Sequence, residues 1–431
     1  MADGMVDEMD ETQRRDVQAT AAPVHGGPDA RGAARHDFST NSNACGPCPQ
    51  TLADVQQADA TRYPDPSYTA LRAQLAAFHG VAPDRIVLAA SASECIHRIT
   101  ALAAQQGVRA VALPAHSYGD YAQAAQARGL QVLRPADAGH ATAGLHWACE
   151  PSSPLGALDP VLAAWRDVPE SLGAERTAAW LPPPLGEGWG GGSQRWKPQR
   201  GSDLRRATIP TFPQRGKEQN QRLDHNENAL APRTAWMRVL DCAYAPLRLH
   251  TGRVRADDGR AFDLPDAGPT TWQLWTPNKA LGLTGVRAAY AIAPPGADAA
   301  VAALTALAPS WPVGAHGLAM LSSWVEPATQ RWLAGCLPVL RDWKAQQQAL
   351  CTDLGWAVLP GSQANYFCAR LPMPDVPSAL LQLRDHGIQL RDCRSFGLPG
   401  VVRLGVLAPL AQQALQRSWA MVDSGWAGLV G

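Results

Sequence analysis

The chain has 431 residues, room for two domains of ordinary size, and its 38 basic and 38 acidic residues cancel to a formal net charge of zero. That balance excludes a global field drawing it to nucleic acid or an anionic membrane, and no apolar run is long enough to span a bilayer. The acidic opening "MADGMVDEMDETQRRD" lacks the apolar stretch of a secretory signal, and the nine cysteines are odd in number and scattered, so a reducing cytoplasm is the expected compartment.

Residues 1–35 are polar, rich in Gly and Ala and aperiodic, and are expected to be disordered. Strands and helices alternate from there. "YTALRAQLAAFHG" has helical spacing and ends on Gly80, a good C-terminal cap. "RIVLAA" reads as a short buried strand and "ASECIHRITALAAQQG" as the helix after it; "RAVALPA", "YGDYAQAAQARG" and "LQVLRP" repeat the unit. "LHWACEP", "WMRVLDCAY" and "TWQLWTP" read as further strands ending in polar or turn residues. The pattern predicts an α/β fold, a mostly parallel sheet with helices on both faces, whose ligands gather at the carboxyl ends of the strands. Residues 36–314 would form this large domain. A helical stretch, "WAVLPGSQANYFCARLP", another helix and the strands "GIQLRDC" and "VVRLGVLA" predict a smaller α/β domain over 315–431.

Residues 174–232 fit neither period. They are rich in Gly, Pro, Arg and Gln, and a structureless loop of this length inside a compact domain points to a disordered insertion between two strands. Its basic character reads as a solvated loop rather than as a nucleic-acid contact. Cys45 and Cys48 form a lone pair flanked by prolines with no second pair after it, so no metal site is expected.

Lysine is scarce. The chain has four, Lys197, Lys217, Lys279 and Lys344, and arginine carries nearly all the positive charge. Lys279, inside the apolar "TPNKALGLTGVRAAY", is therefore expected to be needed for its amine, which arginine cannot deprotonate or turn into a Schiff base. Asp241 ends the strand "RVLDCAY", with Tyr244 three residues on, and Arg287 follows Lys279 after a Gly-rich turn. Ser91 and Ser93 sit between a strand and a helix, where free backbone N–H groups favour an anion such as phosphate. A carboxylate, a phenol, an amine, a guanidinium and a phosphate cradle together suit pyridoxal phosphate: the lysine for its aldehyde, the aspartate for its ring nitrogen.

With these motifs the chain resembles the fold-type I pyridoxal-phosphate enzymes of the class I/II aminotransferase superfamily, in the branch of histidinol-phosphate aminotransferases and threonine-phosphate decarboxylases. The resemblance runs from residue 36 to the C-terminus outside the insertion. It implies a homodimer with pyridoxal 5'-phosphate at each site. "FSTNSNACGPCP" is similar to the segment that closes over substrate, which implies a substrate contact at Asn43. "RYPDPSYTALRAQLAAFHGV" implies that Tyr63 reaches the cofactor phosphate of the partner subunit. "LAASASE" implies phosphate contacts at Ala92 and Ser93, and "PAHSYGDY" implies that Tyr118 stacks on the cofactor ring. "DCAY" implies Asp241 at the ring nitrogen and Tyr244 at the phenolic oxygen. "TPNKALGLTGVR" implies Lys279 as the Schiff-base lysine and Arg287 as a phosphate ligand. "VVRLGV" implies that Arg403 binds the substrate carboxylate, with Asn365 in the matching "ANYF" block.

The chain departs from the family at "PSSPLG", where Ser153 replaces the asparagine that bonds the cofactor's phenolic oxygen, and in a phosphate turn without its glycine. "GIQLRDCRSFGLPG" and "FSTNSN" are more similar to the decarboxylase, and the first places Arg391 and Arg394 ahead of Arg403, with Arg394 expected at a substrate phosphate. The expected reaction is thus decarboxylation of L-threonine O-3-phosphate to aminopropanol phosphate, a cobalamin side-chain precursor. The alternatives are a histidinol-phosphate-type aminotransferase and a non-catalytic relative disabled by its insertion. Retention of Lys279, Asp241, Tyr244, Arg287 and Arg403 favours an enzyme.

Overall fold

The computed structural model describes residues 26–166, 237–249, 260–262 and 268–430, so the segment 174–232 and residues 1–25 of the expected tail lie outside the described residues. Seven strands form the main sheet: Ile86–Ala89 (β1), Ala110–Ala112 (β2), Gln131–Leu133 (β3), Leu145–Cys149 (β4), Met237–Asp241 (β5), Thr271–Trp275 (β6) and Ala289–Ile292 (β7). Their order is β1-β7-β6-β5-β4-β2-β3. β7, a strand the sequence pattern did not single out, runs antiparallel to both neighbours; every other pair is parallel. The run "LHWAC" is buried at all five positions because both sheet faces are covered, as a parallel sheet requires.

One face packs the helix Ala92–Gln105 (α1) and the helix Gly119–Gln126 (α2) through Ile96, Ile99 and Tyr121, against Trp147 and Leu274. The other face packs Leu71, Leu75, Trp275, Tyr290 and Trp324 into a separate core. The register aligns Cys149 with Asp241 and Asp241 with Leu274, so β4, β5 and β6 end together. Asp241 closes β5 there, and Lys279 follows β6 by four residues, so both emerge at one edge.

A second, antiparallel sheet holds Ala357–Val358 (β8), Tyr366–Arg370 (β9), Arg391–Asp392 (β10) and Val401–Gly405 (β11), in the order β10-β11-β9-β8. It has its own core of Phe367, Val402, Leu404, Leu415 and Trp419. The long helix Pro327–Asp353 (α3) carries Lys344, and the helix Val376–Asp385 (α4) packs on the same core through Leu383.

The last ten residues of the expected disordered tail, 26–35, are ordered. Residues 26–35 take a defined course, with Arg384 of α4 donating to both oxygens of Asp29 at 2.9 Å and Arg31 pairing with Asp385 at 2.7 Å. His36–Asp37 then pairs in parallel with Ile388–Gln389. Ion pairs anchor this stretch, and composition alone does not show them. Among the described residues, no helix is long and apolar enough to cross a membrane.

Candidate active site

Asp241 is buried at the end of β5, its Oδ1 accepting from the Ala243 N–H at 2.9 Å and its Oδ2 from the Tyr121 hydroxyl at 2.7 Å. Burial pushes its carboxyl above the ordinary aspartate pKa; the Tyr121 hydroxyl, the Ala243 N–H and the Lys279 charge pull it back down. Lys279 is half-buried, and its Nζ lies 5.1 Å from the centre of the Tyr244 ring. The first turn after β5 is tight enough to set Tyr244 beside Lys279, with the Tyr366 ring edge-on to Tyr244 at 4.8 Å.

The start of α1 is prepared for an anion. Ser91 caps the helix by accepting from the Glu94 N–H at 3.1 Å, and Glu94 in turn accepts from the Ala90 N–H at 3.1 Å. The N–H groups of Ala92 and Ser93 belong to the first turn, which has no carbonyls behind it to use them. The Ser93 hydroxyl is 3.3 Å from that of Tyr118, whose ring meets Tyr121 edge-on at 5.8 Å. Ser93, Tyr118, Tyr121 and Asp241 thus form one continuous series of contacts. Tyr121 is a residue the sequence did not single out.

The N-terminal strap, residues 38–47, crosses this edge. It carries Asn43, expected at the substrate, whose Nδ2 donates to the Ala280 carbonyl at 3.0 Å and whose Oδ1 accepts from the Cys45 N–H at 3.0 Å. Its backbone N–H also bonds the Lys279 carbonyl at 2.9 Å, so Asn43 fastens the strap to the lysine loop. Asn41, two residues earlier, is the one that reaches inward, its Nδ2 donating to the Tyr244 hydroxyl at 3.2 Å. The loop tolerates the strap because Gly282, at φ 70°, has no Cβ: one would sit 2.5 Å from the Gly46 carbonyl. Asn365 is buried and ties the strap down from the other side, donating to the Asn41 and Ser42 carbonyls at 3.2 and 3.1 Å.

Arg403 on β11 is buried, with Nη1 3.4 Å from the Ser153 hydroxyl, Nη2 donating to the Ser39 carbonyl at 3.1 Å, and its guanidinium 5.5 Å from the Tyr366 ring centre. Arg394, expected at a substrate phosphate, lies toward the surface. Its side chain is 58% exposed and pairs with Asp392 at 2.7 Å. Arg391 takes the inner place: it is the direct cross-strand neighbour of Arg403, and both guanidiniums face Phe396, at 4.9 and 5.8 Å from its ring centre. Burial and then the Arg403 charge lower the Arg391 pKa. Alternation along "LRDCR" separates the two sites, but which arginine points inward depends on the short β10 pairing.

Two further expected residues, Arg287 and Tyr63, stand apart from this cluster or at its margin. Arg287 is exposed beyond the lysine loop. Tyr63 is 77% exposed and stacks on Trp311 at 4.3 Å between ring centres. Lys344, the other described lysine, is committed elsewhere. Its Nζ donates to the Ser362 carbonyl, the Ser362 hydroxyl and the Ala364 carbonyl at 2.7, 3.0 and 2.8 Å.

An open, mostly parallel sheet with one antiparallel strand, a lysine and an aspartate at its carboxyl edge and a helix N-terminus beside them define the fold-type I class. The chain belongs to the aminotransferase class I and II family, which it matches over residues 36–153 and 229–419. A histidinol-phosphate aminotransferase of Hyphomonas neptunium is 36% identical over 118 residues, 26% of this chain and 32% of that protein, so the chain spans about a third of the length of the curated relative it matches. Among solved structures, histidinol-phosphate aminotransferase from Sinorhizobium meliloti in complex with pyridoxal 5'-phosphate is similar at 19% identity and a TM-score of 0.60, over 90% of each chain. L-threonine-O-3-phosphate decarboxylase from Porphyromonas gingivalis is similar at 17% identity and a TM-score of 0.61, over 90% of this chain and 99% of that one.

Family membership makes pyridoxal 5'-phosphate the cofactor, and the residues fit it. Asn41 Oδ1, Asn365 Oδ1 and Arg403 Nε are buried without a hydrogen-bond partner among the described residues, although buried polar atoms are nearly always paired. The donor set is also the one the cofactor needs: an amine, a buried carboxylate, a phenol and unused N–H groups at a helix start.

Proposed function

We propose that the chain is a pyridoxal-phosphate enzyme acting on a small amino acid with a second anionic group, and that its reaction is decarboxylation of L-threonine O-3-phosphate to aminopropanol phosphate and carbon dioxide. The observation that carries this reading is the pair Arg391 and Arg403, two guanidiniums buried side by side. Burying two like charges together is costly, and a substrate bearing both a carboxylate and a phosphate offsets that cost with charge-assisted bonds.

In this reading Lys279 holds the cofactor, Asp241 keeps its ring nitrogen protonated, Tyr244 and Ser153 lie on the phenolic-oxygen side, and Tyr118 covers the ring. Ala92, Ser93 and Arg287 take the phosphate, with Tyr63 of a second copy. Bound pyridoxal phosphate supplies an electron sink for the substrate's α-carbon. Arg403 holds the α-carboxylate, Arg391 the distal phosphate, and the strap carrying Asn41 excludes water. The Lys279 ammonium would deliver the proton that replaces the lost carboxylate on the α-carbon, and would be left as the neutral amine. The protein would work as a cytoplasmic homodimer, with residues 36–314 as the cofactor domain, 315–431 as the small domain and 174–232 as a dispensable insertion.

The second reading, transamination of histidinol phosphate, is favoured by the 36% identity to the Hyphomonas neptunium protein. The purified protein with pyridoxal phosphate tests both. Carbon dioxide and aminopropanol phosphate from threonine phosphate, with no 2-oxo acid formed, support the first. Turnover of histidinol phosphate with 2-oxoglutarate, and no carbon dioxide from threonine phosphate, establishes the second.

A further inference from the structure

We infer that Asn41 is a positioning residue: it fixes the direction of the Tyr244 hydroxyl and through it tunes the protonation of the bound cofactor. This rests on the pyridoxal-phosphate reading of the site and adds a residue to which neither the sequence motifs nor that reading gave this role.

Asn41 is 1% exposed, and its Nδ2 donates to the Tyr244 oxygen at 3.2 Å. A phenol oxygen that accepts a hydrogen bond turns its single proton away from the donor. Among the described residues the Tyr244 hydroxyl makes no other hydrogen bond, and the Lys279 ammonium sits over its ring. The proton is therefore left for a group held at Lys279, where the cofactor's phenolic oxygen would accept it.

The amide is not free to drift from this position. Asn365 holds the Asn41 and Ser42 carbonyls, and Asn43 clamps the next turn of the strap to Lys279 and Ala280. The Ser153 hydroxyl, at the place of the family's asparagine, lies toward Arg403. Asn41 thus brings an amide to the same neighbourhood from the strap. Its amide orientation also matters: turned over, Oδ1 would take the Tyr244 proton and the cofactor would lose it.

The sign of the effect follows from the charge. A donor to the phenolic oxygen stabilises its anion, which lowers the pH at which the bound chromophore loses its proton. Asn41→Ala frees the hydroxyl to rotate, and Asn41→Asp, an acceptor of the same shape, captures its proton. Both variants should raise that pH.

The test is a pH titration of the visible band of the full-length, cofactor-loaded protein. Asn41→Asp and Tyr244→Phe should each move the midpoint up by about one pH unit, the scale of one charge-assisted hydrogen bond, with Asn41→Ala between them and wild type. In a Tyr244→Phe background, Asn41→Ala should add no further shift, which a general loosening of the strap would not reproduce. An unchanged midpoint in both Asn41 variants beside a shifted Tyr244→Phe overturns the inference, as does an equal Asn41→Ala shift in the two backgrounds. A wild-type protein that takes up no coloured cofactor overturns the underlying reading of the site as well.

Discussion

The Tyr121 hydroxyl donates a 2.7 Å hydrogen bond to Asp241 Oδ2, and the same ring stacks on Trp147 at 4.7 Å and an interplanar angle of 10°. Asp241 is thus held from a helix as well as from its own turn. Tyr121→Phe keeps the stack and removes the bond, which pushes the Asp241 pKa further up and leaves less of the carboxylate to face the ring nitrogen. Pyridoxal-phosphate affinity, read from a fluorescence titration of the cofactor-free protein, should fall roughly five- to tenfold, the equivalent of one net hydrogen bond.

Asp241→Asn should separate stability from binding. The folded pKa of Asp241 is raised, so its contribution to stability is fully present below the unfolded pKa and is lost as pH rises through the folded value. At neutral pH the cofactor-free wild type therefore carries a buried charge that the amide variant lacks. Cofactor-free Asp241→Asn should melt higher than cofactor-free wild type at pH 7, with the difference vanishing below the ordinary aspartate pKa. With cofactor the order should reverse, because wild type gains the ring-nitrogen contact and the variant binds roughly tenfold or more weakly. Differential scanning fluorimetry across pH checks both halves.

These two residues also mark the limits of the sequence. Asp241 and Lys279 were legible because each follows an apolar strand that fixes where it emerges, and strand ends are where such folds place chemistry. Tyr121 was not, since a tyrosine inside "YGDYAQAAQ" looks the same whether its hydroxyl meets solvent or a carboxylate 120 residues on. The sequence favoured Asn43 and Arg394, where the structure turns Asn41 and Arg391 inward, for a related reason. Both pairs lie in short or irregular segments, where no hydrophobic period tells one face from the other and only tertiary pairing does. β7 was missed because "AYAI" has four residues and follows directly on the Arg287 turn.

The two described lysines should behave differently. Lys279→Ala should lose the visible band, and Lys344→Ala should keep it while costing about 1–3 kcal/mol in stability, because one buried and two part-buried oxygens lose their donor. Burial lowers the Lys344 pKa to about 8 from an ordinary 10.5. The unfolded chain binds more protons between those values, so this group makes stability rise with pH across that window. Urea unfolding of wild type and Lys344→Ala at pH 8 and pH 10 should show the rise shrink in the variant.

The two candidate phosphate arginines should also separate in kinetics. Arg391→Gln removes a charge buried beside Arg403 and should raise KM for a phosphorylated substrate by roughly tenfold or more, as loss of a charge-assisted contact does. Arg394→Gln removes a largely exposed partner of Asp392, and surface pairs contribute little, so its KM should stay within about twofold of wild type. An equal effect of the two substitutions on KM would return Arg394 to the site.

Tyr63 supplies the last test. The Tyr63 side chain is 77% exposed and stacked on a half-exposed Trp311, which leaves it open to a second copy. If the site is shared between two copies, the Tyr63 hydroxyl works across the interface, and a chain defective at Tyr63 still offers an intact Lys279. Tyr63→Phe and Lys279→Ala chains, each weak or inactive alone, should therefore regain activity when refolded together, because a mixed dimer carries one site with both native residues. At equal input about half the dimers are mixed and each has one complete site, so recovery should approach roughly a quarter of wild type. Size-exclusion chromatography and differently tagged chains establish that the mixed species forms. Mixed dimers without recovered activity would show that Tyr63 serves its own chain or none.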